Sequence, residues 1–115
     1  MTMTFKRSDR VADSVKIALS RIILHDVRDE KLSLISISAV AMSDDLRQAR
    51  VYFVPIGSAV EPDEAKEHLE RATGFFRREL GKRVKLKYVP ELRFFYDQSF
   101  DYGERIEKIL SDITE

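Results

Sequence analysis

Between residues 33 and 55 two short runs show a period of two, the first only in part, and this pattern constrains the fold more than any other feature of the chain. The first run, Leu34-Ile35-Ser36-Ile37-Ser38-Ala39-Val40, is rich in β-branched residues and partly alternating. In the second, Gln48 to Pro55, Ala49, Val51 and Phe53 alternate with Arg50, Tyr52 and Val54. Ser43-Asp44-Asp45 between them is turn material, so the two runs predict a β-hairpin. Local backbone hydrogen bonds explain those carboxylates better than metal binding does. A hairpin with one apolar face is not stable alone and needs other elements to cover it.

The flanking segments supply that cover. From residue 8 to about 27, Val11, Val15, Ala18, Leu19, Ile22 and Ile23 recur at spacings of three and four, which predicts an amphipathic helix. Ser8 or Asp9 is placed to accept the free N–H groups at its start, and residues 26–31 form a charged connector. After a loop over 57–62, Pro62 with Asp63 and Glu64 fits a helix N-terminus. The helix is expected to run from about 62 to 82, with Gly81 at its end. One apolar stripe passes through Gly74 without a phase break, so the pattern permits either a straight helix or two helices meeting there. Val84, Leu86 and Tyr88 alternate with Arg83, Lys85 and Lys87, which predicts a strand over 83–88 with one basic face. Pro90 should mark a bulge or an edge before the strand resumes over 92–96. Tyr102, Ile106, Ile109, Leu110 and Ile113 outline a last amphipathic helix. The reading is an α+β chain in the order α-β-β-α-β-α, one domain over 1–115 with a core of about 6–97 and an extension of about 98–115.

Several functions lose their chemical basis at this level. No apolar run approaches the roughly 20 residues that span a bilayer. No secretory signal follows Lys6, Arg7 and Arg10, so the expectation is a soluble cytoplasmic protein. With no cysteine there is no disulfide and no thiolate, whether as nucleophile or as zinc ligand. His25 and His68 lack a second ligand at firm spacing and read as solvent-facing or capping imidazoles. Glu104 and Glu107 flank Arg105 and read as solvated. Ser33, Ser36 and Ser38 have no nucleophile-elbow context, and the four glycines form no phosphate loop. No enzyme, cofactor or metal is expected.

Charge is informative through its distribution. The net charge is zero, yet residues 71–93 hold eight basic side chains against Glu79 and Glu91. The basic ones are Arg71, Arg77, Arg78, Lys82, Arg83, Lys85, Lys87 and Arg93. Beyond them, residues 94–115 carry six acids against two bases. A basic centre of this kind suits RNA phosphates, and a solvated, ion-paired face is an equal reading on composition alone. Phe75, Phe94, Phe95 and Tyr96 could stack on bases, but at this spacing most are expected in the core.

Longer strings carry more information. Arg10-Val11-Ala12 opens the first helix, and Leu32 to Val40 is followed by Ser43-Asp44-Asp45-Leu46-Arg47-Gln48-Ala49-Arg50-Val51-Tyr52. Then come Ala72-Thr73-Gly74-Phe75-Phe76-Arg77, Leu80-Gly81-Lys82-Arg83 and Val89-Pro90-Glu91-Leu92-Arg93-Phe94-Phe95-Tyr96-Asp97. Over roughly residues 6–105 the chain resembles the bacterial ribosome-binding factor A family. The resemblance implies a type II KH-like fold, α-β-β-α-(kink)-α-β with a C-terminal helical extension. In it an Ala-x-Gly kink, here Ala72-Thr73-Gly74, replaces the usual Gly-rich loop. It also implies a monomeric assembly factor without catalytic activity. Such a factor binds the free small ribosomal subunit and its 16S RNA, assists late maturation and RNA processing, and acts particularly in the cold, with assembly GTPases among its candidate partners. Joined to the charge pattern, it nominates Arg71, Ala72, Thr73, Gly74, Arg77, Arg78, Lys82, Arg83, Lys85 and Lys87 for RNA contact. The competing readings are a ribosome-associated protein-protein adaptor with little direct RNA contact and a small α+β hydrolase.

Overall fold

The structure, a computed structural model, describes residues 6–99. Helix α1 spans Arg7–His25, and a single 3-10 turn, Leu32–Leu34, leads into strand β1, Ile35–Met42. Strand β2, Gln48–Pro55, helices α2, Pro62–Arg71, and α3, Thr73–Arg83, and strand β3, Glu91–Tyr96, follow. This is the α-β-β-α-α-β order of a type II KH-like domain. The expected last helix lies almost wholly outside the described residues.

The hairpin forms as the alternation requires. Strands β1 and β2 are antiparallel, with Ile35 opposite Pro55 and Met42 opposite Ala49. The register shifts between Ile37 and Ala39, leaving Ser38 as the extra residue of a bulge. In the connecting turn the Ser43 hydroxyl donates to Asp45 Oδ1 at 2.6 Å and the Arg47 N–H donates to the same oxygen at 3.1 Å. These bonds hold the Asp45 carboxyl below its ordinary value, Ser43 contributing most. The turn also places Leu46 at φ 62, a left-handed conformation unusual for a branched side chain.

Strand β3 adds to the other side of β2 in parallel, from Gln48 opposite Glu91 to Phe53 opposite Tyr96. Parallel neighbours need a crossover, and α2 with α3 provides it. All the helices lie on one face of the sheet. Between the layers Val15, Leu19, Ile22, Ile37, Val51, Phe53, Leu69, Phe76, Leu80 and Phe94 form the buried core. Phe76 packs against Phe94 with ring centroids 6.0 Å apart, and Phe53 meets Tyr96 edge to face.

Four expectations require correction. The first helix begins at Arg7 with Lys6 as its N-cap, and Asp9 acts from the third helical position by accepting the Lys6 N–H at 3.2 Å. The expected strand over 83–88 is absent: α3 continues to Arg83, and residues 84–90 are irregular. Val84 and Leu86 are half-buried there, so the period-two pattern records one-sided burial of a segment with no neighbouring strand to exchange hydrogen bonds. Gly81 does not end its helix. A Cβ there would stand 3.1 Å from Val89 Cγ2, so its lack of a side chain lets the segment before β3 lie close against α3. Finally, the helices meet at Ala72 (φ −89, ψ 3) and not at Gly74. Pro90 is buried at the entrance to β3, where the next N–H, Glu91, donates to Arg47 O at 2.8 Å.

Candidate nucleic-acid interface

The break between α2 and α3 is one residue long. The Ala72 N–H is shared between the carbonyls of His68 and Leu69, both at 3.2 Å, and the Ala72 carbonyl accepts from Phe76 N–H at 2.9 Å to start α3. The Thr73 hydroxyl donates back to Leu69 O at 3.3 Å. Gly74 follows on the exposed side, and a Cβ built there meets nothing within 4 Å. Neither a positive φ nor crowding within the chain requires glycine at this position. What the glycine leaves is bare helix backbone facing open space.

Beside the break lies a groove of about 430 Å³, lined in part by Val27, Arg28, Leu32, Arg71, Ala72 and Phe75. Its wall includes His68, whose Nδ1 lies 2.7 Å from Asp29 Oδ2. This bond ties the 26–31 connector to α2, so His68 is a part-buried cross-link and not the solvent-facing or capping imidazole expected. Burial pushes the Asp29 carboxyl up, but hydrogen bonds from His68 and the Lys31 N–H outweigh it and hold it below its ordinary value.

The basic residues of this region differ in what they already touch. Arg71 pairs with Glu67 one turn earlier, and Arg83 reaches Asp26 beyond the end of α1. Arg77 is a brace: its Nε donates to Pro90 O and its Nη2 to Val89 O, both at 3.1 Å. It holds the irregular segment against α3. Lys82 makes a loose pair with Glu79 at 3.6 Å while remaining largely exposed. Arg78 and Lys85 are exposed and make no hydrogen bond or ion pair among the described residues. Lys87 stands 5.5 Å from the Tyr88 ring, with Arg47 at 4.6 Å from the same ring. Arg78, Lys82, Lys85 and Lys87, with Arg93 on β3, are thus the members of the basic stretch left available to an anion.

A second polar surface lies on the sheet face away from the helices. Arg50 on β2 and Arg93 on β3 are register partners, and two positions on Tyr52 pairs with Phe95, their ring centroids 5.7 Å apart. The sequence placed Arg50 and Tyr52 on one side of β2. Their adjacency to Arg93 and Phe95 depends on the parallel register of β3, for which no local signal exists.

The comparisons with known proteins agree on one family. The family model described as "Ribosome-binding factor A" matches residues 7–110. A protein of that name from Syntrophus aciditrophicus is 49% identical over 109 residues, covering 95% of this chain and 89% of its own. Among solved structures, the crystal structure of ribosome-binding factor A from Thermus thermophilus is similar with a TM-score of 0.70 at 27% identity. It covers 77% of this chain and 93% of that one. A homology model of the Thermus thermophilus factor, as fitted into the cryo-EM map of a 30S complex with that factor, gives a TM-score of 0.62 at 28% identity, covering 76% of this chain and 91% of that chain.

Proposed function

The chain belongs to the ribosome-binding factor A family, and from that premise we propose that it binds the free small ribosomal subunit through 16S RNA and assists late maturation and processing of that RNA. The family is one of binding factors, and the proposed action is binding alone, without catalysis. The Thermus relative fitted into a 30S complex supports the choice of partner. The observation that carries the RNA contact is the run of exposed cations that follows the bare backbone at Gly74, Arg78 and Lys82 one and two turns further along α3 and Lys85 and Lys87 beyond its end. Both features suit phosphates: cations within reach and a close approach to backbone. Arg71, Ala72 and Thr73 border this site, while Arg77 and Arg83 hold its frame.

The mechanism is differential binding. A factor that fits one arrangement of immature RNA shifts the population towards it and leaves when maturation, or an assembly GTPase, removes that arrangement. The need is greatest in the cold, where mispaired RNA helices persist longest. One domain acting as a monomer in the cytoplasm suffices for this role; among the described residues no helix is long and apolar enough to cross a membrane.

The test is a salt titration on a single-stranded fragment of small-subunit RNA. Each lost phosphate contact lowers the log-log slope by about 0.7, so replacing Arg78, Lys82 and Lys85 with glutamine should flatten it by about 2. Lys31, already paired with Glu64 at 3.4 Å, serves as the control and should leave the slope unchanged. An unchanged slope in the triple variant removes the assignment.

A further inference from the structure

We propose that the open face of the sheet is a second RNA contact, a stacking platform for unpaired bases formed by Tyr52 and Phe95 with Arg50 and Arg93 as its phosphate clamp. The proposal rests on the reading that the chain binds RNA and adds a surface on the opposite side of the sheet from the helices.

Three observations carry it. Arg50 and Arg93 face each other across neighbouring strands, and neither makes an ion pair among the described residues. Like charges on neighbouring strands repel, and a partner that brings negative charge would relieve that repulsion. Glu91 lies on the same face at the start of β3, but it forms no ion pair with Arg93. Next, Phe95 is 36% exposed and half-stacked on Tyr52 at an interplanar angle of 33°, and Lys66 Nζ reaches in from α2 to 5.9 Å from the Phe95 ring. Exposed aromatic rings with cations close by accept bases of any sequence. Lastly, the neighbouring positions of β1 on this face are Ala39, opposite Tyr52, and Ala41, opposite Arg50. Small side chains there leave the platform open on that side, so a base can lie flat.

The occupant follows from the combination. Positive charge alone would suit any polyanion, and exposed rings alone would suit any apolar surface. Alternating one with the other, about 6.6 Å apart along each strand, matches an extended single strand that presents a phosphate and a base in turn. A duplex hides its bases and cannot use the rings.

The experiment compares two variants on a ten-nucleotide RNA of alternating cytidine and adenosine, which cannot pair with itself, and on an RNA duplex. Replacing Tyr52 and Phe95 together with valine, which keeps the strands, should weaken single-strand binding by about tenfold at an unchanged salt slope. Replacing Arg50 and Arg93 with glutamine should flatten the slope by about 1.4, and because it relieves repulsion this variant keeps the proposal testable even if the aromatic one misfolds. Duplex binding should be unaffected by the valine variant. If both sheet variants bind the single strand normally while the Arg78, Lys82, Lys85 variant does not, the platform is refuted and the proposed function stands. If the unaltered protein binds neither RNA, both fall. Sheet variants that bind RNA normally but no longer sediment with small subunits would assign the face to a protein instead, and that too overturns the proposal.

Discussion

The two faces of the sheet are built from alternate residues of the same three strands and obey different rules. Ile37, Val51, Phe53, Leu92 and Phe94 on the covered face are each less than a tenth exposed, and their shapes are set by the helices above them. On the open face Arg50 lies opposite Arg93 and Tyr52 meets Phe95, with Lys66 of α2 over the Phe95 ring. Alternation in a sequence identifies which residues turn inward. It is silent on whether the outward ones merely face water.

The largest expected difference between the faces is in stability. Phe53→Ala removes a fully buried ring that meets Tyr96 edge to face and should cost about 3–5 kcal/mol, whereas Phe95→Ala should cost no more than about 1 kcal/mol. Urea unfolding of both variants measures the contrast, and similar losses would mean that the open face carries structure.

A smaller effect sharpens the comparison at the two glycines of α3. Gly74→Ala gains helix propensity and meets nothing, so it should stabilise by about 1 kcal/mol. Gly81→Ala sets the same gain against the crowding of Val89 and should stabilise less. If Gly74→Leu folds as well as the parent yet binds RNA more weakly, the open space over that backbone is used by a ligand; normal binding by Gly74→Leu removes that role.

The smallest effect is at the sheet's edge. The Ser38 hydroxyl donates to Asp97 Oδ2 at 2.6 Å, and this bond, followed by that from Ser99, holds the Asp97 carboxyl below its ordinary 3.8. A depressed carboxyl contributes stability above its unfolded value and loses it as pH falls through the folded one. Ser38→Ala should therefore melt at a lower temperature than the parent at neutral pH, with the gap closing as pH drops well below 3.8. A gap that persists in acid would point to the bulge geometry instead of the charge.

Much of this molecule was legible in its residues, for identifiable reasons. The hairpin and α1 follow from side-chain period, because period two and period 3.6 each leave a single buried face. The division of the long helix followed from the resemblance and not from the stripe, since a one-residue hitch at Ala72 leaves the apolar phase intact. Residues 83–88 misled because alternation reports burial, and a strand also needs a neighbour. The work of Arg77, Arg83 and His68 within the fold was hidden for a related reason: their partners, the carbonyls of Val89 and Pro90, Asp26 and Asp29, lie between 12 and 57 positions away along the chain.

The parallel pairing of β2 with β3 also sets an order of events. Gln48 and Glu91 must find each other across the whole length of α2 and α3, while the basic strip needs little more than α3 and the residues that follow it. Contacts distant in sequence form late, because the intervening loop must first be closed. The arginine pair and the aromatic pair of the open face straddle that junction, so the platform exists only where β3 has paired with β2. Binding at the open face would then report on the long-range pairing of β2 with β3, and binding at the basic strip on the local structure of α3.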